Sequence, residues 1–280
     1  MAPAEGAGRD AGGRQAAPAS EDRDPLRLAD DELRQAGELS TELVHARLRD
    51  AILHGEFDPH VPISQVQLAQ RLGVSRTPLR EALRMLQREG LIDSEPNRRV
   101  RVAALSVADL EQLYAARVVI DALTLRLSVA RFSDEDLTEM EQCLRTMERL
   151  AADRDVDLWE ESHRAFHGTF RRYAGDRFER MAGDLSDHTE RYRRVYLAEP
   201  RAWTAAAEEH RAVYEACRAR RPTEAAQLLA RHLARTALTL IAALDPEHDP
   251  RPVREALRLV TGEPDGAAAD QAGSPGTVPS

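Results

Sequence analysis

Cysteine, aromatic side chains and long apolar runs are all scarce in this 280-residue chain. The two cysteines, Cys143 and Cys217, are too few for a disulfide framework and do not stand in a metal-ligand spacing with each other. Both read as small buried apolar residues. Aromatic residues make up 4% of the sequence against 42% hydrophobic residues in all, a balance that suits helices packed through Leu, Ala and Val. No apolar stretch approaches membrane-spanning length and there is no signal-peptide pattern, so a cytoplasmic protein with no membrane association is expected. No Gly-rich phosphate loop, Ser/His/Asp grouping or nucleophilic cysteine context stands out. Lysine is missing altogether, and the 39 basic side chains are all arginine, a compositional bias that carries no mechanism by itself.

What is present is unevenly distributed. The net charge of −9 looks wrong for a partner of nucleic acid until it is divided. Residues 64–104 hold eight arginines against four acids, a local +4, so the remainder carries −13. A basic face of that kind meets DNA while an acidic body resists non-specific adhesion. Within it, Leu68, Ala69 and Leu72 give a short apolar stripe at helical spacing. Gly73 follows, able to take a left-handed cap conformation. Ser75 is a natural N-cap for the next helix, and Pro78 in its first turn costs no intrahelical bond. Leu79, Ala82, Leu83 and Leu86 then face a core, while Arg76, Arg80 and Arg84 fall at i, i+4 and i+8 on a separate ridge. Such a helix has what the major groove needs, apolar anchors behind and guanidinium forks in front. Gly90 to Ser94 ends the helix and starts a strand, Glu95-Pro96-Asn97-Arg98-Arg99 makes a tight turn, and Val100-Arg101-Val102 returns. A hairpin tipped with Arg98 and Arg99 is a wing suited to phosphates or the minor groove. The ridge alone fits a solvated arginine face on an ordinary helical hairpin; cap, turn, ridge and basic hairpin together favour DNA binding.

The stretch from Val44 to Val102 resembles the winged helix of the GntR family of bacterial transcription regulators. The resemblance implies DNA contacts at Arg76, Thr77, Arg80 and the wing tip. With Ser75 and Arg84 beside them, and Arg98 and Arg99 in the wing, these form the expected DNA-binding set. The stripe Val44, Leu48, Ala51 and Ile52, ending at Gly55, matches the first helix of that fold. Two positions depart from the family pattern, because Arg99 and His60 stand where glycine is usual.

Beyond the short linker Ala103-Ala104-Leu105 the pattern is helical throughout. Ser106 with Asp109, and Ser133 with Asp136, are N-cap signatures. Helices are expected from Ser106 through Leu127, from Ser133 through Met147, and from about Val156 to Tyr173 with a break at Gly175. Three more cover Phe178–Tyr196, Ala202–Arg218 and Thr223–Leu244. No strand pattern or internal repeat appears, so an antiparallel helical bundle is the natural architecture. Four of the nine histidines form a set. His163 and His167 are i, i+4 on one helix face, His210 opens a later helix, and His232 lies in the last. A lone helical histidine is usually a satisfied core or surface residue. Four from three helices suit a transition metal, because imidazole binds zinc, nickel, iron or copper. His188 has no evident partner, and His45, His54, His60 and His248 read as surface residues.

This region resembles the FCD ligand-binding domain of the FadR branch of GntR regulators. The resemblance rests on Leu113-Tyr114-x-x-Arg117, His163-x-x-Phe166-His167, Ala174-Gly175-Asp176, Glu209-His210-Arg211-Ala212 and Ala225 through His232-Leu233. In metal-binding members the position of His163 is usually Asp or Asn, and histidines occupy those of His167, His210 and His232. The change at His163 removes a negative charge, which alters metal preference or makes the site more attractive to an anionic effector. Arg117 matches a position that often faces the effector cavity, where its fork would clamp a carboxylate. An ion pair with Asp121, one turn away, is the alternative role. Arg193 and Arg194 fall on a pocket-lining helix but read as a solvated face.

The expected protein is mostly α. Residues 1–37 form a disordered arm and 38–104 a winged helix-turn-helix. Residues 105–246 make an effector- and metal-binding bundle. The span 247–280 is a mostly disordered tail, with a loose turn or two of helix at Val253–Val260. The expected function is a homodimeric DNA-binding regulator, by family habit a repressor, acting at an inverted-repeat operator. Its effector would be a small organic acid or sugar acid bound beside a divalent metal, zinc first, nickel or iron otherwise. The competing reading is a metal-dependent enzyme built on the four histidines. A di-iron bundle would want two Glu-x-x-His helices, and this chain offers only Glu160-x-x-His163, since Ala207 stands three before His210. A purely architectural DNA-binding protein would leave the histidines unexplained.

Overall fold

The computed structural model describes Leu26 and residues 40–59, 61–95 and 99–262. The N-terminal unit begins with helix α1 (Ser40–Leu53), which buries Val44, Leu48 and Ala51. Strand β1 (Ile63–Ser64), α2 (Gln65–Leu72) and α3 (Arg76–Arg88) follow, then a hairpin of β2 (Ile92–Glu95) and β3 (Arg99–Val102). The three strands pair antiparallel in the order β1-β3-β2. Leu68, Ala69 and Leu72 of α2 and Leu79, Ala82, Leu83 and Leu86 of α3 are all buried, as their spacing predicts. Gly73 closes α2 at φ 74°, a left-handed geometry that costs glycine no steric penalty. Ser75 has the extended backbone of an N-cap, but its side chain makes no capping hydrogen bond. Leu26, expected in a disordered arm, is instead fully buried in this core; an apolar side chain there gains by leaving water. The rest of the expected arm and His60 lie outside the described residues.

The second unit is built of α4 (Val107–Ser128), a 3₁₀ turn (Val129–Arg131), α5 (Asp134–Asp153), α6 (Val156–Thr169), α7 (Asp176–Leu197), α8 (Pro200–Arg218), α9 (Pro222–Leu244) and α10 (Arg251–Thr261). Both expected caps form. Ser106 accepts from the Asp109 amide at 3.3 Å, and Ser133 and Asp136 make a reciprocal capping box. Helix α4 packs against α7, α9 and α10, and it is buried on several sides, as a central helix must be. Helix α6 stops at Thr169, four residues short of the expected Tyr173, as the chain turns towards Gly175 at φ 98°. Helix α10 is longer and firmer than the loose turns expected at Val253–Val260. Val253 and Ala256 are buried against the main core, and Gln227 donates to the Thr261 carbonyl at 3.3 Å. Residues 263–280 lie outside the described residues. Cys217 is buried, which pushes its thiol up to about 12, while Cys143 is half-buried.

The two units touch chiefly through α7. Arg49 of α1 reaches Glu89 at 3.1 Å and Glu190 of α7 at 3.3 Å. The ring of His188 lies 3.4 Å from where a Cβ would sit on Gly90 (φ 66°), and its Nε2 bonds to the Arg88 carbonyl. Arg191 donates to the Ala103 carbonyl of the linker at 2.7 Å, and the Tyr192 hydroxyl donates to Asp109 in the first turn of α4 at 2.7 Å. His188 therefore has a partner in the other unit. His45 and His248 likewise are not simple surface residues, being partly buried in pairs with Glu89 and with Glu111 (3.0 Å), whereas His54 is exposed as expected and pairs with Asp157 at 2.9 Å.

Candidate nucleic-acid interface and metal centre

On the outer face of the N-terminal unit, Ser75, Arg76, Thr77, Arg80 and Arg84 are all exposed. Arg76, Thr77, Arg80 and Arg84 line a groove of about 470 Å³ together with Gln65 and Val66 from the first turn of α2. The ridge is less purely cationic than its spacing suggests. Glu81 holds Arg84 Nη1 at 2.8 Å and lies 3.7 Å from Arg80 Nε. Both arginines remain more than half exposed, where such pairs are weak enough for phosphate to displace. Arg99 is in strand β3 opposite Glu95, not in the turn. Its backbone needs no left-handed geometry, since among the described residues positive φ outside glycine occurs only at Arg154 and Arg220. Arg98 lies outside the described residues.

The four histidines converge in the bundle. His163 and His167 come from α6, His210 from α8 and His232 from α9, and each offers a ring nitrogen within 4.8 Å of the others. All four are buried, at 2–5% exposure. Burial, reinforced by neighbouring positive charge, holds His163, His167 and His210 well below the usual imidazole range. Burial also lowers His232, although Glu209 opposes it. The cluster is therefore neutral, which is the form that ligates metal. His167 Nε2 faces His210 Nε2 at 3.2 Å, either as one hydrogen bond between tautomers or as two lone pairs aimed at a cation. His232 Nδ1 donates to Glu209 Oε2 at 2.7 Å, which turns its Nε2 to the other histidines. Arg235 fixes that carboxylate in turn, at 2.6 Å. Burial alone would raise the Glu209 carboxyl, but the bonds from His232 and Arg235 hold it below the usual range. This carboxylate–imidazole pairing is the support that metal-ligating histidines characteristically receive. His163 stacks on Trp159 at 4.6 Å, and its Nδ1 has no hydrogen-bond partner. The donor set fits a divalent transition metal.

Beside the histidines is a cavity of about 20 Å³, walled by Tyr114, Arg117, Arg193, Tyr196 and Thr236 together with His163, His210 and His232. Arg117 is fully buried. Its Nε donates to Asp121 at 3.0 Å and its Nη1 to Thr189 at 2.9 Å, its Nη2 lies 2.9 Å from the same Asp121 oxygen, and the Tyr114 hydroxyl makes no hydrogen bond. The ion pair with Asp121 and a place on the cavity wall thus coexist. Arg193 does not sit on a solvated face. It is 5% exposed, donates to Thr189 at 2.7 Å, and pairs with the buried Glu160. Arg194 is partly buried and binds Asp157 at 2.6 Å.

Two family models match the chain. One, described as bacterial regulatory proteins of the gntR family, covers residues 40–102, and the other, the FCD domain, covers 112–235. A transcriptional regulator from an Agrobacterium vitis intergenic region is 31% identical over 153 residues, 53% of this chain and 88% of that protein. The chain belongs to the GntR family. This GntR regulator is also 29% identical over 195 residues to the transcriptional repressor GlaR of Escherichia coli, covering 66% of the chain and 89% of the relative. Its match to the Bacillus subtilis regulator YdhC, 32% identical, spans 37% of the chain and 46% of that protein. Two solved structures share the fold. Escherichia coli McbR/YncC does so at TM-score 0.63 and 19% identity, over 74% of this chain and 99% of that one. A Rhodococcus regulator does so at 0.61 and 24%, over 72% and 98%. The chain is a DNA-binding transcriptional regulator with an FCD domain. Among its described residues no helix is long and apolar enough to cross a membrane.

Several working residues of this GntR regulator escape the sequence reading. Glu209 sits next to His210 in the chain yet supports His232, 23 residues on. Glu160 and Thr189 tie the cavity arginines together, and Glu190 anchors the DNA-binding unit. Glu209 stands in the FCD-like Glu209-His210-Arg211-Ala212 run and Glu160 in the Glu160-x-x-His163 spacing, but neither pattern points to these contacts.

Proposed function

We propose that this regulator is a homodimeric, cytoplasmic repressor whose operator binding is set by a small carboxylate held beside a divalent metal. Its working units are residues 38–104 for DNA and 105–246 for effector and metal. The observation that carries the reading is the convergence of four buried, neutral imidazoles on a cavity walled by Arg117 and Arg193. His163, His167, His210 and His232 would hold the ion, with zinc the first choice and nickel or iron the alternatives. When bound it supplies a Lewis-acid anchor for a carboxylate. The Tyr114 hydroxyl, buried without a hydrogen bond, and the guanidinium of Arg117, which an acid would have to share with Asp121, would satisfy the acid's remaining oxygens. Small organic acids and sugar acids have that chemistry.

A cavity of about 20 Å³ has room for about one water, so an acid of several atoms must part the surrounding helices. Helix α7 is placed to convert that movement into a signal. Its Thr189 and Arg193 belong to the polar network around the cavity, while His188, Glu190 and Arg191 hold α1, α3 and the linker. Helix α4, which carries Arg117 and continues from the linker, is a second route. An acid regulates only if it prefers one arrangement of the winged helices over another. In a two-fold dimer those helices, contacting DNA through Ser75, Arg76, Thr77, Arg80, Arg84, Arg98 and Arg99, would read an inverted repeat.

Metal analysis of protein purified without an affinity tag tests the site directly. About one transition-metal ion per chain is expected in the wild type, and none in the His210→Ala, His232→Ala double variant. A wild type that stays metal-free after zinc or nickel loading, or a double variant that loads equally well, overturns it.

A further inference from the structure

Val66 is an aliphatic side chain in the wrong place for the core. It is 42% exposed, while its neighbours Leu68 and Leu72 are 1% and 0% exposed. The partly buried residues that pad the N-terminal core are Leu43, Ile52, Leu53, Ile63 and Val74, and Val66 is not among them. Instead it lies in the first turn of α2 and lines the same groove as Arg76, Thr77, Arg80 and Arg84. Isolated exposed apolar residues need no explanation, but this one occupies the face that the arginines commit to DNA.

The chemistry of that face narrows what Val66 can do. Valine neither donates nor accepts a hydrogen bond, so it cannot grip phosphate or pair with a base edge. Its two methyls are held at a stiff χ1 on a helix, which presents them from a fixed position. In the major groove the apolar feature of the base-edge code is the 5-methyl of thymine, and apolar side chains are what read it. We propose that Val66 contacts a thymine 5-methyl group in each operator half-site and selects thymine there. The proposal rests on α3 being the recognition helix, which sets α2's first turn against the same groove.

The test starts from a duplex selected out of a random library by the full-length wild-type protein. Each thymine is then replaced in turn by deoxyuridine, which removes the methyl and nothing else. One thymine per half-site should lose about three- to tenfold in affinity on replacement, the scale of one methyl group withdrawn from water. Val66→Ser should bind the thymine duplex as weakly as the wild type binds the uracil duplex, and should not distinguish the two. Val66→Thr, which keeps the shape and one methyl, should fall between. A flat uracil scan overturns the proposal, and so does a Val66→Ser protein that keeps the wild-type preference for thymine. Arg80→Ala on the same duplex separates the two layers. If it weakens binding while the uracil scan is flat, only the Val66 contact fails; if it binds normally, the recognition-helix assignment fails and the contact with it.

Discussion

The arginine-bearing helix α3 and the histidine cluster both gather nitrogen-bearing side chains, and they deal with water in opposite ways. On α3 the guanidinium groups of Arg76, Arg80 and Arg84 are exposed. Arginine cannot shed its charge, so it stays wet until phosphate or a base edge replaces the water. In the bundle, four imidazoles are buried at 2–5% exposure, which histidine tolerates because it can go neutral. Two arginines also enter that interior, and each brings a carboxylate, Asp121 for Arg117 and Glu160 for Arg193. The fold thus keeps permanent charge outside or paired, and leaves the interior neutral cluster as the place where a cation can be taken up.

The harshest way to break that contrast is to remove one member of a buried pair. Glu160→Leu leaves the Arg193 guanidinium buried without its carboxylate and should cost about 3–5 kcal/mol of stability. Adding Arg193→Met should restore most of it. Denaturant titration reads both, and a double variant as unstable as the single would show that the pair is not the cause. Metal comes next. At a free concentration one hundred times its Kd, a bound ion stabilises by about 2.7 kcal/mol. That gain should vanish with chelator and be missing from His210→Ala, His232→Ala, as thermal melts will report. On the outer face, Arg80→Ala should weaken specific operator binding by about 1–3 kcal/mol if it reads a base edge, measured at fixed salt; unchanged affinity would remove it from the interface.

Acidification sharpens the neutral-imidazole half of the comparison. His163, His167 and His210 are held low by burial, so as pH falls below about 6.5 the unfolded chain takes up protons first. Metal-free protein should hold its full stability above that pH and lose it on acidification, by up to about 1.4 kcal/mol per pH unit for each histidine. Denaturant midpoints of chelated protein measured across mildly acidic pH give the sign, and stability that rises towards acid contradicts neutral burial.

What the sequence made legible was local. The stripes Leu68–Leu72 and Leu79–Leu86 and the caps at Ser106 and Ser133 are set by spacing within a few residues, and the structure follows them. His163 and His167 are legible for the same reason, being one turn apart; His210 and His232 joined them as further helical histidines, and the FCD resemblance picks out the same positions. What remained hidden depends on contacts across long separations. Arg193 reads as a surface residue until Glu160 from α6 and Thr189 meet it in the interior. His188 has a role only because α7 docks on Gly90 and Arg88 of the other unit. The Val253–Val260 stripe announces helical turns, but their firmness depends on a face that α4 and α9 create together.

The central claim is that the cavity beside the histidines and the DNA-binding face are energetically coupled. Its most direct test is a linkage measurement on zinc-loaded protein. A panel of small organic and sugar acids is titrated with and without operator duplex, and operator affinity is measured with and without each acid. For the effector, the factor by which the acid changes operator affinity must equal the factor by which operator changes acid affinity, and Arg117→Ala combined with metal removal should abolish acid binding. An acid that binds tightly and leaves operator affinity unchanged is not the effector. An acid that regulates yet binds undiminished after both changes contradicts the account.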